Sequence, residues 1–169
     1  MKTLIVLSAP PGSGKTTWAR ALQEKQSSTY IISSDEIRYE LTGQRQDFSK
    51  QKEVWETFSK RIHEYANLDP CATVILDALC DLNILRKKYV WDNPEYDRYI
   101  LVLFPHTKEE CAKNNVNRDV DYQVPDNVFE GLWNKFEPVS QEVLDLYTMV
   151  FEVKFDKDHK FKQKTIKIS

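Results

Sequence analysis

Apolar and polar positions alternate along the chain between two rhythms. Short, dense apolar runs at Thr3–Ser8, Thr29–Ser33, Ala72–Leu76, Tyr99–Phe104 and Met149–Phe155 read as strands, the densest as strands buried on both faces. Between them the apolar residues recur at three- and four-residue steps, as on one side of a helix. Trp18 and Leu22 mark a helix over Lys15–Lys25, and Trp55, Phe58, Ile62 and Tyr65 mark one from about Phe48 to Leu68. Leu82, Leu85 and Tyr89 mark a third, Lys108–Asn117 is a polar helix, and Phe129, Leu132, Trp133 and Phe136 form the stripe of a helix opened by Pro125. Strands alternating with helices predict an α/β fold with a mainly parallel sheet. Residues His159–Ser169 are Lys-rich and read equally as an edge strand or a tail.

The first strand leads straight into Pro10-Pro11-Gly12-Ser13-Gly14-Lys15-Thr16-Thr17 and then a helix. Strand, glycine-rich loop and helix are the context a phosphate-binding loop requires. Gly12 and Gly14 allow close backbone approach to an anion, and the N–H groups of Ser13 to Thr17 with the helix N-terminus form the cradle. Lys15 reaches the β- and γ-phosphates in this reading, and the Thr16 hydroxyl ligates Mg²⁺. Ala9 replaces the first glycine of GxxxxGK[ST]. A glycine-rich turn that binds nothing is the plainer alternative, and Lys15 with Thr16 argues against it.

Ser33-Ser34-Asp35-Glu36-Ile37-Arg38 follows the second strand, on the sheet edge that carries the loop. A helix starting at Ser34 or Asp35 puts Asp35 and Arg38 on one face. There a carboxylate can take the proton of an attacking hydroxyl, and a guanidinium can hold an anion. The plainer alternative is a helix cap and a solvated arginine. Asp77, ending the third strand, is either a Mg²⁺- or substrate-directed carboxylate or another cap. Arg118 lies in a polar stretch suited to a lid, where it would neutralise charge on a moving phosphoryl group.

With 169 residues the chain is expected to form one domain over 1–169. A net charge of −2 gives no global basic field for nucleic acid, although it leaves room for a local basic groove. The three cysteines (Cys71, Cys80, Cys111) form no CxxC pair and predict neither disulfides nor a zinc site. The N-terminal apolar run is too short for a secretory signal and no run is long enough to span a bilayer, so a cytoplasmic protein without a membrane partner is expected. His63, His106 and His159 read as surface or packing residues, the tryptophans as helix-face packing, and the lysines from Lys154 to Lys167 as a solvated tail rather than a nucleic-acid contact.

The order of these motifs resembles the kinase domain of phage-type polynucleotide 5′-hydroxyl kinases and the wider group of AAA-type and zeta-toxin-like P-loop kinases. The likeness rests on Pro11–Arg20, on Asp35 with Arg38, on Asp77-Ala78 with Leu82-Asn83, and on Arg118 with Val124-Pro125. It implies a three-layer P-loop fold with a five-stranded sheet in the order 2-3-1-4-5 and a helical lid at about residues 113–125. It also implies ATP and Mg²⁺ as cofactors, Asp35 as general base, Arg38 on the acceptor's phosphate and Arg118 on the donor's. Asn114 stands where many relatives have a lid arginine, which implies a weaker donor clamp or one supplied by Lys113. Asp77-Ala78-Leu79-Cys80-Asp81 replaces a shorter loop that shapes the acceptor pocket. No DxDGT-type phosphatase segment is present in the chain.

Three functional classes follow. A polynucleotide kinase, which the resemblance favours, requires a basic channel that Arg38, Arg45, Arg86, Lys87 and Lys88 would line. A small-molecule kinase for a sugar, nucleoside, nucleotide-sugar or antibiotic requires a closed pocket. A nucleotide-binding regulatory module requires no acceptor and leaves Asp35 and Arg38 without a purpose; the absence of an NKxD motif counts against a GTPase.

Overall fold

The computed structural model of the chain describes residues 1–156, 158 and 160–168. The five apolar runs form parallel strands β1 (Thr3–Ser8), β2 (Thr29–Ser33), β3 (Thr73–Asp77), β4 (Arg98–Leu103) and β5 (Met149–Phe155). A sixth strand, β6 (Phe161–Ile168), pairs antiparallel with β5, and the sheet order is β2-β3-β1-β4-β5-β6. The expected order of the first five strands is found, and the count of five is corrected to six. β6 has only one neighbour and stays mostly exposed, so its sequence carries little of the apolar signal that marks a buried strand. His159 and Ser169 lie outside the described residues.

The strand period of two explains the layering. Leu4 and Val6 of β1 enter one core with Phe58 and Ile62 of α3 (Gln51–Ala66). Ile5 and Leu7 enter another with Trp18 and Ala19 of α1 (Lys15–Lys25). Both faces of the central strands are therefore covered by helices, as a parallel sheet requires. The remaining helices are α2 (Ser34–Thr42), α4 (Asn83–Trp91), α5 (Lys108–Val116), α6 (Asp126–Lys135) and α7 (Gln141–Leu146). Cys111 of α5, Val124 and Phe129 of α6 form a third, smaller cluster. Among the described residues, no helix is long and apolar enough to cross a membrane, and all three cysteines are free.

Two helical expectations change. The buried line of α3 is Val54, Phe58, Ile62 and Ala66, so Trp55 sits beside the stripe and is exposed. Trp91 is exposed too, and only Trp18 of the four tryptophans is buried. α7 was not anticipated; its six residues are too few to show a helical period, although Ser140 accepts a bond from the Val143 N–H at 3.3 Å as its cap.

Parallel pairing brings the strand ends to one edge. Ser33 pairs with Asp77, and Ser8 pairs with Leu103. The residues that follow these strands therefore share one rim of the sheet. Phe58, fully buried, anchors α3 beneath that rim and meets the rings of Trp55 and Tyr89 at 5.2 and 6.1 Å. Phe58→Ala should lower unfolding free energy by about 3–5 kcal/mol in denaturant titration, with little change in the denaturant slope. A loss below about 1 kcal/mol would mean that α3 does not depend on this contact.

Candidate functional site

The loop after β1 is shaped to receive an anion. Gly12 and Gly14 have φ of +80° and +87°, in the left-handed region that a side chain resists. A Cβ at Gly12 would come 2.3 Å from the Cys111 carbonyl oxygen, so α5 presses against the loop backbone there. Asn114 of the same helix donates through Nδ2 to the Gly12 carbonyl at 2.9 Å. The residue expected to weaken the donor clamp thus braces the loop itself. Ala9 needs no glycine, because it lies outside the left-handed region; its N–H donates to the Leu79 carbonyl at 3.1 Å. α1 begins at Lys15 after Gly14, with no side chain capping its free N–H groups. The Ser13 hydroxyl, buried, bonds to no described residue.

Gly12, Ser13, Gly14, Lys15, Thr16 and Thr17 line a cavity of about 830 Å³. Its other wall includes Pro105, His106, Lys113, Asn114, Lys154 and Phe155. Pro11, expected among the nucleotide contacts, faces a different cavity of about 480 Å³ together with Asp35, Arg38 and Asp77. Lys15 and Arg118 line both. A third, polar recess of about 280 Å³ contains Thr16, Asp35, Asp77 and Arg118. The two larger spaces meet where the expected catalytic groups converge.

The helix cap that competed with Asp35 belongs to another residue. Ser33 accepts the Glu36 N–H at 3.3 Å and caps α2, leaving Asp35 in its first turn. Asp35 Oδ1 accepts a bond from Arg38 Nη1 at 2.8 Å, while Oδ2 bonds to no described residue. Arg38 is buried, and it borders the same cavity as Asp35. It also donates to Gln51 Oε1 and the Arg45 carbonyl at 3.0 Å each, and its guanidinium lies 4.6 Å from the Phe48 ring centre. This arrangement makes Arg38 a support that orients Asp35.

Asp77 is not a cap either. Its Oδ2 accepts from Thr16 Oγ1 at 2.8 Å, so the loop hydroxyl and the β3 carboxylate are already joined. Burial raises the Asp77 carboxyl above the ordinary carboxylate range, against the opposing pull of Lys15 and the Thr16 bond. Burial likewise lowers the Lys15 ammonium below the ordinary lysine range, while Asp77 and Asp35 act to raise it and Arg118 to lower it. Each charge is short of hydration and would gain from an incoming partner of opposite sign. Among the described residues no group of three or more His, Cys, Asp and Glu side chains could hold a metal alone. One hydroxyl and one carboxylate suit Mg²⁺, which completes its shell with phosphate oxygens and water.

Arg118 follows α5 and precedes a short 3₁₀ turn, Val120–Tyr122, with its guanidinium 5.9 Å from the Tyr122 ring centre. That turn is tied across the site. Arg45 donates from Nε to Glu36 Oε1 at 3.0 Å and from Nη1 to Asp121 at 2.7 Å, and it lies 4.4 and 4.2 Å from the Tyr39 and Tyr122 ring centres. The other arginine of the expected channel, Arg86, is fully buried and donates to Ser8 and Asn83 at 3.0 and 2.7 Å. Lys87 pairs with Glu142. Four of the five expected channel residues are therefore paired or buried, and Lys88 alone is exposed without an ion pair to a described residue.

Sequence reasoning missed His106 and Phe155 in the loop-side cavity and Phe48, Trp55 and Tyr89 in the cavity that holds Asp35. His106 follows the end of β4 and Phe155 is the last residue of β5 on the loop's rim, so strand position was the available signal. Nucleotide at one hundred times its Kd should stabilise the protein by about 2.7 kcal/mol. Lys15→Met and Gly12→Ala should each lose most of the thermal shift given by Mg-ATP; full shifts in both variants would contradict this site.

A family profile described as an AAA domain matches residues 4–139. No curated protein sequence gives a match. Among solved structures, the chain is similar to Chaetomium thermophilum Kti12 in complex with ADP-AlF3, at 18% identity and a TM-score of 0.69, covering 92% of each chain. It is also similar to a fungal RNA kinase, at 18% identity and a TM-score of 0.64, covering 94% of this chain and 77% of that one. A gluconokinase from Sinorhizobium meliloti 1021 matches at 16% identity and a TM-score of 0.58, covering 90% and 82%. At these identities the solved structures establish the P-loop kinase-like fold. The profile covers most of the chain, which belongs to the AAA domain family.

Proposed function

We propose that the protein is an ATP-dependent phosphotransferase that moves the γ-phosphate of ATP to a hydroxyl group. One observation carries this reading. Lys15 and Arg118 border both a loop-side cavity fit for a nucleotide and a second cavity that contains the carboxylate of Asp35. A module that only bound nucleotide would have no use for the second space or for the Arg38 bond that fixes Asp35.

In this mechanism the loop N–H groups and Lys15 hold the triphosphate, and Arg118 closes on it from the lid residues. Mg²⁺, when bound, supplies charge neutralisation on the phosphates, with Thr16 and Asp77 as its protein oxygens. Asp35, held through Oδ1 by Arg38, accepts the acceptor's proton at Oδ2. As that proton leaves, the acceptor oxygen bonds to the γ-phosphorus, the bond to the β–γ bridging oxygen breaks, and ADP departs. Lys15 and Arg118 stabilise the charge on the moving group, so catalysis is mainly positioning and electrostatics.

The resemblance to polynucleotide 5′-hydroxyl kinases supports a nucleic-acid acceptor, and the fold is shared with an RNA kinase and a gluconokinase alike. The pairing of Arg38, Arg45 and Lys87 and the burial of Arg86 favour the second reading, a small-molecule acceptor. A strand of nucleic acid would need unpaired cations along its path.

Asp35→Asn should reduce phosphotransfer by about 10²–10⁴-fold while preserving the thermal shift produced by Mg-ATP. Transfer at the normal rate in this variant would remove Asp35 from the mechanism.

A further inference from the structure

The chamber in front of Asp35 narrows the class of acceptor. We propose that the acceptor is an uncharged, ring-bearing alcohol of about nucleoside size, its ring lodged among Phe48, Trp55 and Tyr89 and its hydroxyl at Oδ2 of Asp35. This rests on the phosphotransfer reading of the same site.

Size is the first argument. About 480 Å³ lies within the range of pockets that enclose small organic ligands. The walls come from separate parts of the chain: Phe48 from the loop between α2 and α3, Trp55 from α3, Leu85 and Tyr89 from α4, and Val128 and Leu132 from α6. The Arg45 bridge to Asp121 ties the α2–α3 loop, which carries Phe48, to the 3₁₀ turn after Arg118.

The polar inventory is the second argument. Arg38 and Arg45 are committed to Asp35, Glu36 and Asp121. Apart from Lys15 and Arg118, which the donor phosphates would engage, Lys135 is the one cation of the chamber without a described partner. The Asp81 carboxylate, which has no hydrogen bond or ion pair to a described side chain, balances it. Such a lining offers an anionic acceptor no net attraction.

The third argument is the exposed aromatic surface. Trp55 and Phe48 remain 38% and 42% exposed although both border the chamber, a poor use of two large rings unless a ligand covers them. Tyr89 turns its ring to the same space, and its hydroxyl bonds to no described residue, leaving it able to engage a polar edge of the ligand. A planar ring covers these faces more fully than the single C–H face of a sugar.

The test measures kcat/KM for transfer of labelled γ-phosphate from Mg-ATP to four acceptor sets: nucleosides, hydroxymethyl-substituted aromatic rings that are not nucleosides, simple sugars, and 5′-hydroxyl DNA and RNA oligomers. The highest kcat/KM is expected in one of the first two sets, which also separates the two sources of such a ring. Trp55→Ala should then raise acceptor KM by about tenfold or more with the KM for ATP unchanged, and Trp55→Phe should restore most of the difference. Oligomers or sugars as the best substrates would overturn the inference while keeping the phosphotransfer reading. So would an acceptor KM indifferent to Trp55→Ala. Release of ADP with no label on any set, unchanged in Asp35→Asn, would overturn both.

Discussion

Lys15 sits in a gap where burial lowers its ammonium below the ordinary lysine range, and the groups around it offset or add to that effect. Asp77 and Asp35 offset part of it, Arg118 adds to it, and the buried Asp77 is itself short of hydration. In the proposed mechanism an anion and a cation arriving together, as a nucleotide with Mg²⁺ would supply, offset both charges. The same constraint explains why the loop must be rigid. A lysine that could swing into water would solve its own hydration and lose its grip on the phosphate, and the contacts of Gly12 with α5 keep the backbone beneath it fixed.

The sheet turns this local arrangement into a site with two sides. Parallel strands end on one rim, so the phosphate loop, Asp35 and Asp77 meet although they are far apart in sequence. The loop-side cavity and the aromatic chamber share Lys15 and Arg118 at their junction. Under the proposed phosphotransfer this arrangement would put the donor on one side, the acceptor on the other, and positive charge between them. Arg38 serves this geometry from behind, by holding one oxygen of Asp35 and leaving the other free.

Much of this was legible in the sequence, for physical reasons. A strand covered on both faces must be apolar throughout, so β1 and β3 announce themselves, and a glycine-rich turn with Lys and Thr has few other uses. β6 was ambiguous because an exposed edge strand has no burial to record. α7 was invisible because six residues carry no period. Ion pairing was the least legible feature. All but Lys88 of the basic residues read as a channel are paired with Asp35, Glu36, Asp121 or Glu142 or are buried, and those pairings depend on tertiary structure that spacing cannot convey. Trp55 was assigned to the core by its helical spacing, yet one residue's rotation about α3 turns it toward the chamber instead.

The central claim concerns the position of one carboxylate relative to one phosphoryl group. A crystal structure of the protein with ADP, Mg²⁺ and aluminium fluoride as a mimic of the moving phosphoryl group tests it directly. The mimic should lie between Lys15 and Asp35, with Oδ2 of Asp35 about 2.6–3.2 Å from the apical oxygen opposite ADP. An Asp35 side chain turned from the mimic, or separated from it by the closed lid residues, would contradict the account.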